Sequence, residues 1–234
     1  MISERDFSLH FSSFWRSALP NMEAVVRSIN LSYDRIDDDI TATSNSAERD
    51  MVSESGYQLF CFVLNDRIAS PREYLAPSAK RAERFIHGTN SLSDAEIESF
   101  VARNSAEIII LANRIIKFCR SRSKDSRFSA PVAMTGHSLV GDCNADLLVE
   151  NDLVEIKYVD RNFRSIDLRQ CLIYTSLNYL KIGASFDNIV LFNPLRGIYV
   201  ELTYEEVIRG AGGISLIDFI HDFSFAASSG QVSI

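Results

Sequence analysis

The chain has 234 residues, 46% of them hydrophobic and 24% charged, with a formal net charge of −7; this composition is typical of a folded globular protein and excludes a disordered one. No stretch approaches 18 consecutive apolar residues, and the first residues lack the basic and apolar segments of a signal peptide, so we expect a cytoplasmic protein without a membrane span. The four cysteines (Cys61, Cys119, Cys143 and Cys171) form no CxxC pair, so we expect free thiols and no zinc site.

Apolar residues at helical spacing dominate the first half of the chain and predict a mainly helical region over residues 1–125. The predicted helices lie within the first 30 residues, from about residue 53 to 64, and over about 78–86. The capping-box pattern Ser93–Glu96 predicts another helix start. The similar pattern Asn104–Glu107 predicts the start of a long helix that ends in a basic stretch.

Basic residues are concentrated in the middle of the chain. Residues 65–130 carry 12 basic and 8 acidic side chains, a net charge of +4, whereas the segments on either side are both acidic. Because binding to phosphates depends on the local field, Lys117, Arg120 and Lys124 are predicted contacts for nucleic acid. The alternative is a solvated helix end, where the helix dipole favours positive charge.

After Pro131 the chain changes to short β-rich runs around one helix. The predicted strands are 145–149, 153–159, 188–192 and 198–202, and the predicted helix is 165–180. Helices followed by strands that flank a further helix predict an α/β or α+β protein with its sheet in the C-terminal half. We expect residues 126–234 to form this core and residues 1–125 to pack on it, as one compact domain.

An Asn151-Asp152 turn joins the first two predicted strands into a hairpin. In that register Asp146 pairs directly with Lys157, and Glu155 lies two residues before Lys157 on the same face. Asp146, Glu155 and Lys157 are therefore predicted to converge on one patch. A slip of one residue would turn Asp146 to the opposite face and remove the site.

This patch combines the residue types that metal-dependent hydrolysis of a phosphodiester requires. Two carboxylates, together with the Ile156 carbonyl, can hold Mg²⁺ or Mn²⁺, and such a cation neutralises charge on the phosphate and activates a water. Lys157 can position or help deprotonate that water, or stabilise the developing negative charge. The alternative is an exposed amphipathic hairpin in which Glu155 and Lys157 are surface charges.

The segment Leu139–Tyr158 reads LVGDCNADLLVENDLVEIKY, and Q-C-L-I-Y follows over residues 170–174. An Asp before an apolar strand, a tight turn, E-x-K in the next strand and a later Q-x-x-x-Y resemble the PD-(D/E)XK nuclease superfamily, and more narrowly a bacterial branch of it. The resemblance covers about residues 135–202. It implies a restriction-endonuclease-like core with a central mixed β-sheet flanked by helices.

The resemblance also implies the roles of individual residues. Asp146 and Glu155 would bind the metal, Lys157 would be the motif lysine, and Gln170 would join the site from the helix that follows the hairpin. Members of the superfamily often add an acid from the first helix of the core, for which Glu54 and Glu107 are the candidates. Glu54 is also explained as a solvated helix start, and Glu107 as a capping residue.

The activity implied is that of an Mg²⁺-dependent nuclease that hydrolyses DNA, with RNA as the less expected substrate and defence against foreign DNA as the biological role. The alternative is a catalytically inactive nucleic-acid-binding or assembly subunit with the same fold. Whether the chain forms a homodimer or binds a partner protein is left open by the sequence.

Overall fold

The computed structural model describes residues 1–66, 70–88, 91–123, 125 and 127–229. The chain divides into two compact units. The first comprises Met1–Ile36, Arg127–Asn193 and Ile198–Ile234, and the second comprises Asp37–Ser126 and Pro194–Gly197. The first 36 residues therefore belong to the unit that contains the predicted hairpin, whereas the sequence prediction grouped residues 1–125 together.

The helices of the described residues follow the apolar periodicity of the sequence. They are α1 (Glu4–His10), α2 (Ser12–Ala18), α3 (Met22–Ile29), α4 (Arg49–Asp66), α5 (Leu75–His87), α6 (Asp94–Arg122), α7 (Ser165–Ile182), α8 (Tyr204–Gly212) and α9 (Leu216–Ser229), with a 3₁₀ turn at Pro71–Tyr74. Across the described ranges, every helix is too short or too polar to span a lipid bilayer.

The strands are β1 (Asp34–Arg35), β2 (Phe128–Ser129), β3 (Val132–Met134), β4 (Cys143–Ala145), β5 (Leu147–Val149), β6 (Asp152–Ile156), β7 (Asn188–Asn193) and β8 (Ile198–Thr203). In the described part of the chain, six of them form one sheet in the order β1-β8-β7-β6-β5-β2, and β3 pairs with β4 separately. The β6–β7 pair is parallel and the other pairs are antiparallel. The predicted α+β class with a mixed sheet flanked by helices is confirmed.

The hairpin of β5 and β6 forms in a different register from the predicted one. Val149 lies opposite Asp152, so the turn is Glu150-Asn151 and begins one residue earlier than expected. Glu150 adopts the left-handed conformation that this tight turn requires, with φ of 56°. Because the pairing shifts by two residues and side chains alternate with a period of two, every side chain keeps its predicted face.

Helix α6 is continuous through the second predicted helix start. Ser93 caps its first turn, where the Ser93 hydroxyl accepts from the Glu96 amide and the Glu96 carboxylate accepts from the Ser93 amide, so the first capping box is confirmed. The second was wrong, because Asn104 lies inside the helix and its Nδ2 donates to the Phe100 carbonyl at 3.0 Å. Apolar residues at helical spacing on both sides of Asn104 hold this turn in the helix.

The N-terminal helices are held to the first unit by an aromatic cluster. The rings of Phe7 and Phe11 stack with centroids 4.0 Å apart, and Phe7 also contacts Trp15 and Phe223 edge-on. Helix α1 packs on α7, α2 on α9 and α3 on α8. This burial is the physical reason that residues 1–36 belong with the sheet, because an isolated seven-residue helix has little stability of its own.

Candidate active site

The candidate site lies at the carboxyl end of β6. The chain between the parallel strands β6 and β7 passes through α7, so the ends of both strands and the start of α7 share one edge of the sheet. Since β5 is antiparallel to β6, the bend at Asp146 just before β5 lies beside the end of β6. The topology therefore brings Asp146, Glu155 and Lys157 to the same edge.

Lys157 links the hairpin to α7. Its Nζ donates to Glu155 Oε1 at 2.6 Å and to Gln170 Oε1 at 2.7 Å. The Glu155 side chain is 5% exposed and that of Lys157 is 16% exposed. An ion pair this deeply buried has a large desolvation cost and is therefore weak evidence for a purely stabilising role.

One oxygen of the Glu155 carboxylate is left without a protein partner. Oε1 accepts from Lys157, but Oε2 is buried and has no hydrogen-bond partner among the described residues. Buried polar atoms are hydrogen-bonded in the great majority of cases, so an exception calls for an explanation. A carboxylate oxygen in this position is a suitable ligand for a hard cation.

The pKa values of the buried pair are both raised. Burial raises the pKa of Glu155, and Asp167 and Glu4 add to the effect while Lys157 opposes it. Burial lowers the pKa of Lys157, but the surrounding carboxylates Glu155, Asp146 and Asp167 together raise it above its ordinary value. The two shifts differ in cause: burial is the main cause for Glu155, whereas Lys157 is raised by carboxylates that outnumber it, so the site carries a surplus of negative charge.

Asp146 is fixed beside β6 by a main-chain hydrogen bond. Its Oδ2 accepts from the Ile156 amide at 2.7 Å, and its side chain is half-buried. The last pair of the hairpin is Leu147 with Val154, so Asp146, just before β5, lies at the level of Glu155 and not of Lys157 as predicted. The predicted metal ligands Asp146, Glu155 and Ile156 are therefore adjacent along the hairpin, although the pairing differs.

An acid that the sequence analysis missed is Glu4, at the start of α1. The amide of Ile2 donates to the Leu139 carbonyl at 2.9 Å, which ties the N-terminus to the segment that precedes β4. Glu4 acts electrostatically on Glu155, where it raises the carboxyl pKa. In the structure Glu4 lies one turn before the buried Phe7 and Ser8 on α1, but no local pattern of the sequence relates this helix to Glu155.

The donor set is compatible with a metal, but it differs from an all-side-chain cage. Within the described ranges, no three His, Cys, Asp or Glu side chains are placed so that they could hold a metal ion. The predicted ligands are two carboxylates and the Ile156 main-chain carbonyl, so only two of the three are side chains. The orphaned Glu155 oxygen and the surplus of carboxylates are the observations that fit a divalent cation here.

The two acids proposed from the sequence as additional ligands belong to the second unit. Glu54 accepts from Gln58 Nε2 at 2.6 Å, and burial raises its pKa. Glu107 is not a capping residue, because its carboxylate binds the amides and hydroxyls of Thr43 and Ser44 in four hydrogen bonds of 2.8–2.9 Å. Glu107 therefore holds a loop of its own unit in place.

This assignment predicts a structural effect for Glu107. Substitution Glu107→Gln should lower the free energy of unfolding by about 1–3 kcal/mol, because a buried amide cannot accept all four hydrogen bonds. Urea unfolding measures the effect, and Glu98→Gln on the exposed face of the same helix is the control. Equal stability of the two variants would contradict the structural role of Glu107.

The predicted nucleic-acid contacts lie in or after the last turns of α6. Lys117 forms an ion pair with Asp37 at 3.0 Å, so part of its charge is neutralised within the second unit. Arg120 is exposed, and Lys124 lies outside the described residues. Arg114, from the same basic stretch, donates to the Pro194 carbonyl at 2.7 Å and so also serves an internal contact.

The cysteines are free thiols, and Cys61, Cys119 and Cys171 are buried. Cys143 is half-buried close to the candidate site, and burial, with Glu4, Asp142 and Glu155, raises its pKa to about 12. This thiol is therefore protonated at neutral pH, which disfavours a role as a nucleophile.

Comparison with known proteins adds no relative from which a function could be taken. No protein-family model matches the chain, and no curated protein and no solved structure matches it either.

Proposed function

We propose that this protein is a metal-dependent nuclease that hydrolyses phosphodiester bonds of DNA. The observation that carries the proposal is the buried Glu155, whose Oε1 is held by Lys157 and whose Oε2 is orphaned, beside the second carboxylate of Asp146. Buried charges are costly, and they are usually retained where they bind a ligand or react. The resemblance of this segment to PD-(D/E)XK nucleases supports the same reading.

In this proposal, Asp146, Glu155 and the Ile156 carbonyl hold the cation, and Glu4 adds negative charge from α1. A bound Mg²⁺ or Mn²⁺ supplies charge neutralisation on the scissile phosphate and a water of lowered pKa. The chain's own residues supply orientation: Gln170 and Glu155 fix the Lys157 ammonium from two sides. The surrounding carboxylates raise the pKa of Lys157, and its ammonium is suited to donate hydrogen bonds to developing negative charge.

An acidic protein can use DNA as a substrate if a cation neutralises the surplus of carboxylates at the site. Without a cation the site repels phosphate, so binding at the site depends on the metal. We extend the proposal to a cytoplasmic protein with a role in defence against foreign DNA; this part rests on the family resemblance alone.

The test is cleavage of single-stranded and duplex DNA by the purified protein with Mg²⁺, with Mn²⁺ and with EDTA. We expect cleavage with metal and loss of cleavage in Asp146→Asn, while Asp187→Asn, an exposed acid of the same unit, keeps wild-type activity. Cleavage of RNA but not of DNA would change the proposed substrate to RNA. Metal-independent binding of nucleic acid without cleavage would favour a non-enzymatic subunit, and absence of both would overturn the proposal.

A further inference from the structure

Helix α7 presents two polar residues to the candidate site, one turn apart. Gln170 binds Lys157, as described above, and Asp167 binds a second cation, Arg161. The Asp167 carboxylate is 2% exposed and accepts from both terminal nitrogens of Arg161, at 2.8 and 3.1 Å. It also accepts from the Arg164 amide at 2.8 Å, at the start of the helix.

Arg161 and Lys157 are bound by neighbouring residues of α7. Residues three apart on a helix are neighbours, so Asp167, which binds Arg161, lies next to Gln170, which binds Lys157. Asp167 is close enough to Lys157 and Glu155 to affect the pKa of both. The Arg161 side chain remains 26% exposed, and Arg161 follows Lys157 in the chain by only four residues.

Arg161 combines a fixed orientation with a permanent positive charge. A planar guanidinium held at two points by a buried carboxylate is fixed in orientation, and its positive charge persists at every physiological pH. Asp167 and the Asn162 carbonyl accept from three of the five N–H donors of Arg161, and a guanidinium is well matched to phosphate. A strand of DNA that enters a site rich in carboxylates needs such a cation beside the metal.

We propose that Arg161 contacts a phosphate of the bound strand next to the scissile one, and that Asp167 is a positioning residue that holds Arg161 for this contact. The inference rests on the proposed function and adds a substrate-binding residue to it. The competing explanation is purely structural: Arg161 compensates the buried charge of Asp167.

Binding is measured by fluorescence anisotropy of a labelled, hydrolysis-resistant phosphorothioate DNA oligonucleotide with Mg²⁺, so that both metal-binding carboxylates stay in place. We expect Arg161→Gln to weaken binding about tenfold and to lower the slope of log affinity against log salt concentration by about 1. Arg161→Lys keeps the charge and should restore the slope, with only part of the affinity. Arg209→Gln, an exposed ion-paired arginine of α8, is the matched control and should change neither quantity.

With cleavable DNA, Arg161→Gln and Asp167→Asn should raise KM more than they lower kcat, whereas a folding defect would lower the amount of active enzyme. If Arg161→Gln fails to fold, the double variant Arg161→Gln/Asp167→Asn removes both charges together and should still show the loss of salt slope. Unchanged affinity and slope in either folded variant would overturn the inference. If the wild-type protein cleaves DNA in that case, the proposed function still holds and only the role of Arg161 is refuted. If the wild-type protein does not cleave, the proposed function fails whatever the result for Arg161.

Discussion

Substitution Lys157→Met should abolish metal-dependent cleavage and should lower the free energy of unfolding, measured without metal at neutral pH, by about 3–5 kcal/mol. The methionine fills a similar volume but leaves the Glu155 carboxylate buried without its ion-pair partner. Gln170 also loses its hydrogen-bond donor. The size of the effect follows from removing one member of a buried pair, which leaves an uncompensated charge in a poorly hydrated environment.

The loss of stability in this variant should depend on pH in a defined direction. Burial already raises the pKa of Glu155 above 4.5, and removal of Lys157 raises it further, because the ammonium was opposing that shift. A carboxyl whose folded-state pKa is raised adds stability that is fully present below its unfolded pKa and is lost as the pH rises through the folded value. Urea unfolding should therefore show a small deficit near pH 4.5 that grows toward neutrality.

A double variant separates the electrostatic effect from packing. Lys157→Met/Glu155→Gln has no charge at either position, so it should recover most of the lost stability and lose the pH dependence, while remaining inactive. Lys181→Met, an exposed lysine at the end of α7, is the control and should change stability by less than about 0.5 kcal/mol. A deficit in Lys157→Met that does not change with pH would show that Glu155 is not the group responsible.

Substitution Glu155→Gln should have the opposite profile: near-normal stability without metal, but loss of cleavage by about a thousandfold or more. Metal-ion catalysis is worth several kcal/mol of transition-state stabilisation, and each 1.36 kcal/mol is a factor of ten in rate. Stability is kept because the amide fills the same space, and Asp146 and Asp167 still compensate the charge of Lys157. The variant therefore isolates the metal-binding role of this carboxylate.

Metal binding itself provides the second readout for Glu155. For wild type, Mg²⁺ at about 100 times its Kd should raise the free energy of unfolding by about 2.7 kcal/mol, and thermal unfolding should report a higher Tm. Glu155→Gln should lose most of this increase, whereas Glu201→Gln, an exposed acid on β8, should keep it. If Glu155→Gln retained both the Mg²⁺-dependent increase in Tm and cleavage, the metal would have to bind elsewhere.

The sequence predicted the elements of the candidate site because their signals are local. Short β-rich runs bounded by turn residues located strands β5 to β8, and the segment between them located α7. The face on which Asp146, Glu155 and Lys157 lie was also predictable, because side chains alternate with a period of two and a shift of two residues leaves each on the same face. The exact register was not, because it depends on Glu150 adopting a positive φ, which its side chain disfavours and which the turn stabilises.

Other features depend on contacts between distant parts of the chain. Glu107 looks like a capping residue in sequence, but a loop more than 60 residues away supplies its hydrogen-bond partners. Glu4 gave no signal that it acts on Glu155, because the Ile2–Leu139 contact that places it links the two halves of the chain.

The sequence by itself therefore determined α7, strands β5 to β8 and the chemistry that Asp146, Glu155 and Lys157 carry to one face of a hairpin. Only the tertiary structure decided what surrounds them: the burial of Glu155, the orphaned oxygen, the clamp of Gln170 on Lys157 and of Asp167 on Arg161. The physical reason is that alternation and helical periodicity are encoded within a few residues, whereas desolvation and charge compensation depend on groups that meet only when the chain folds.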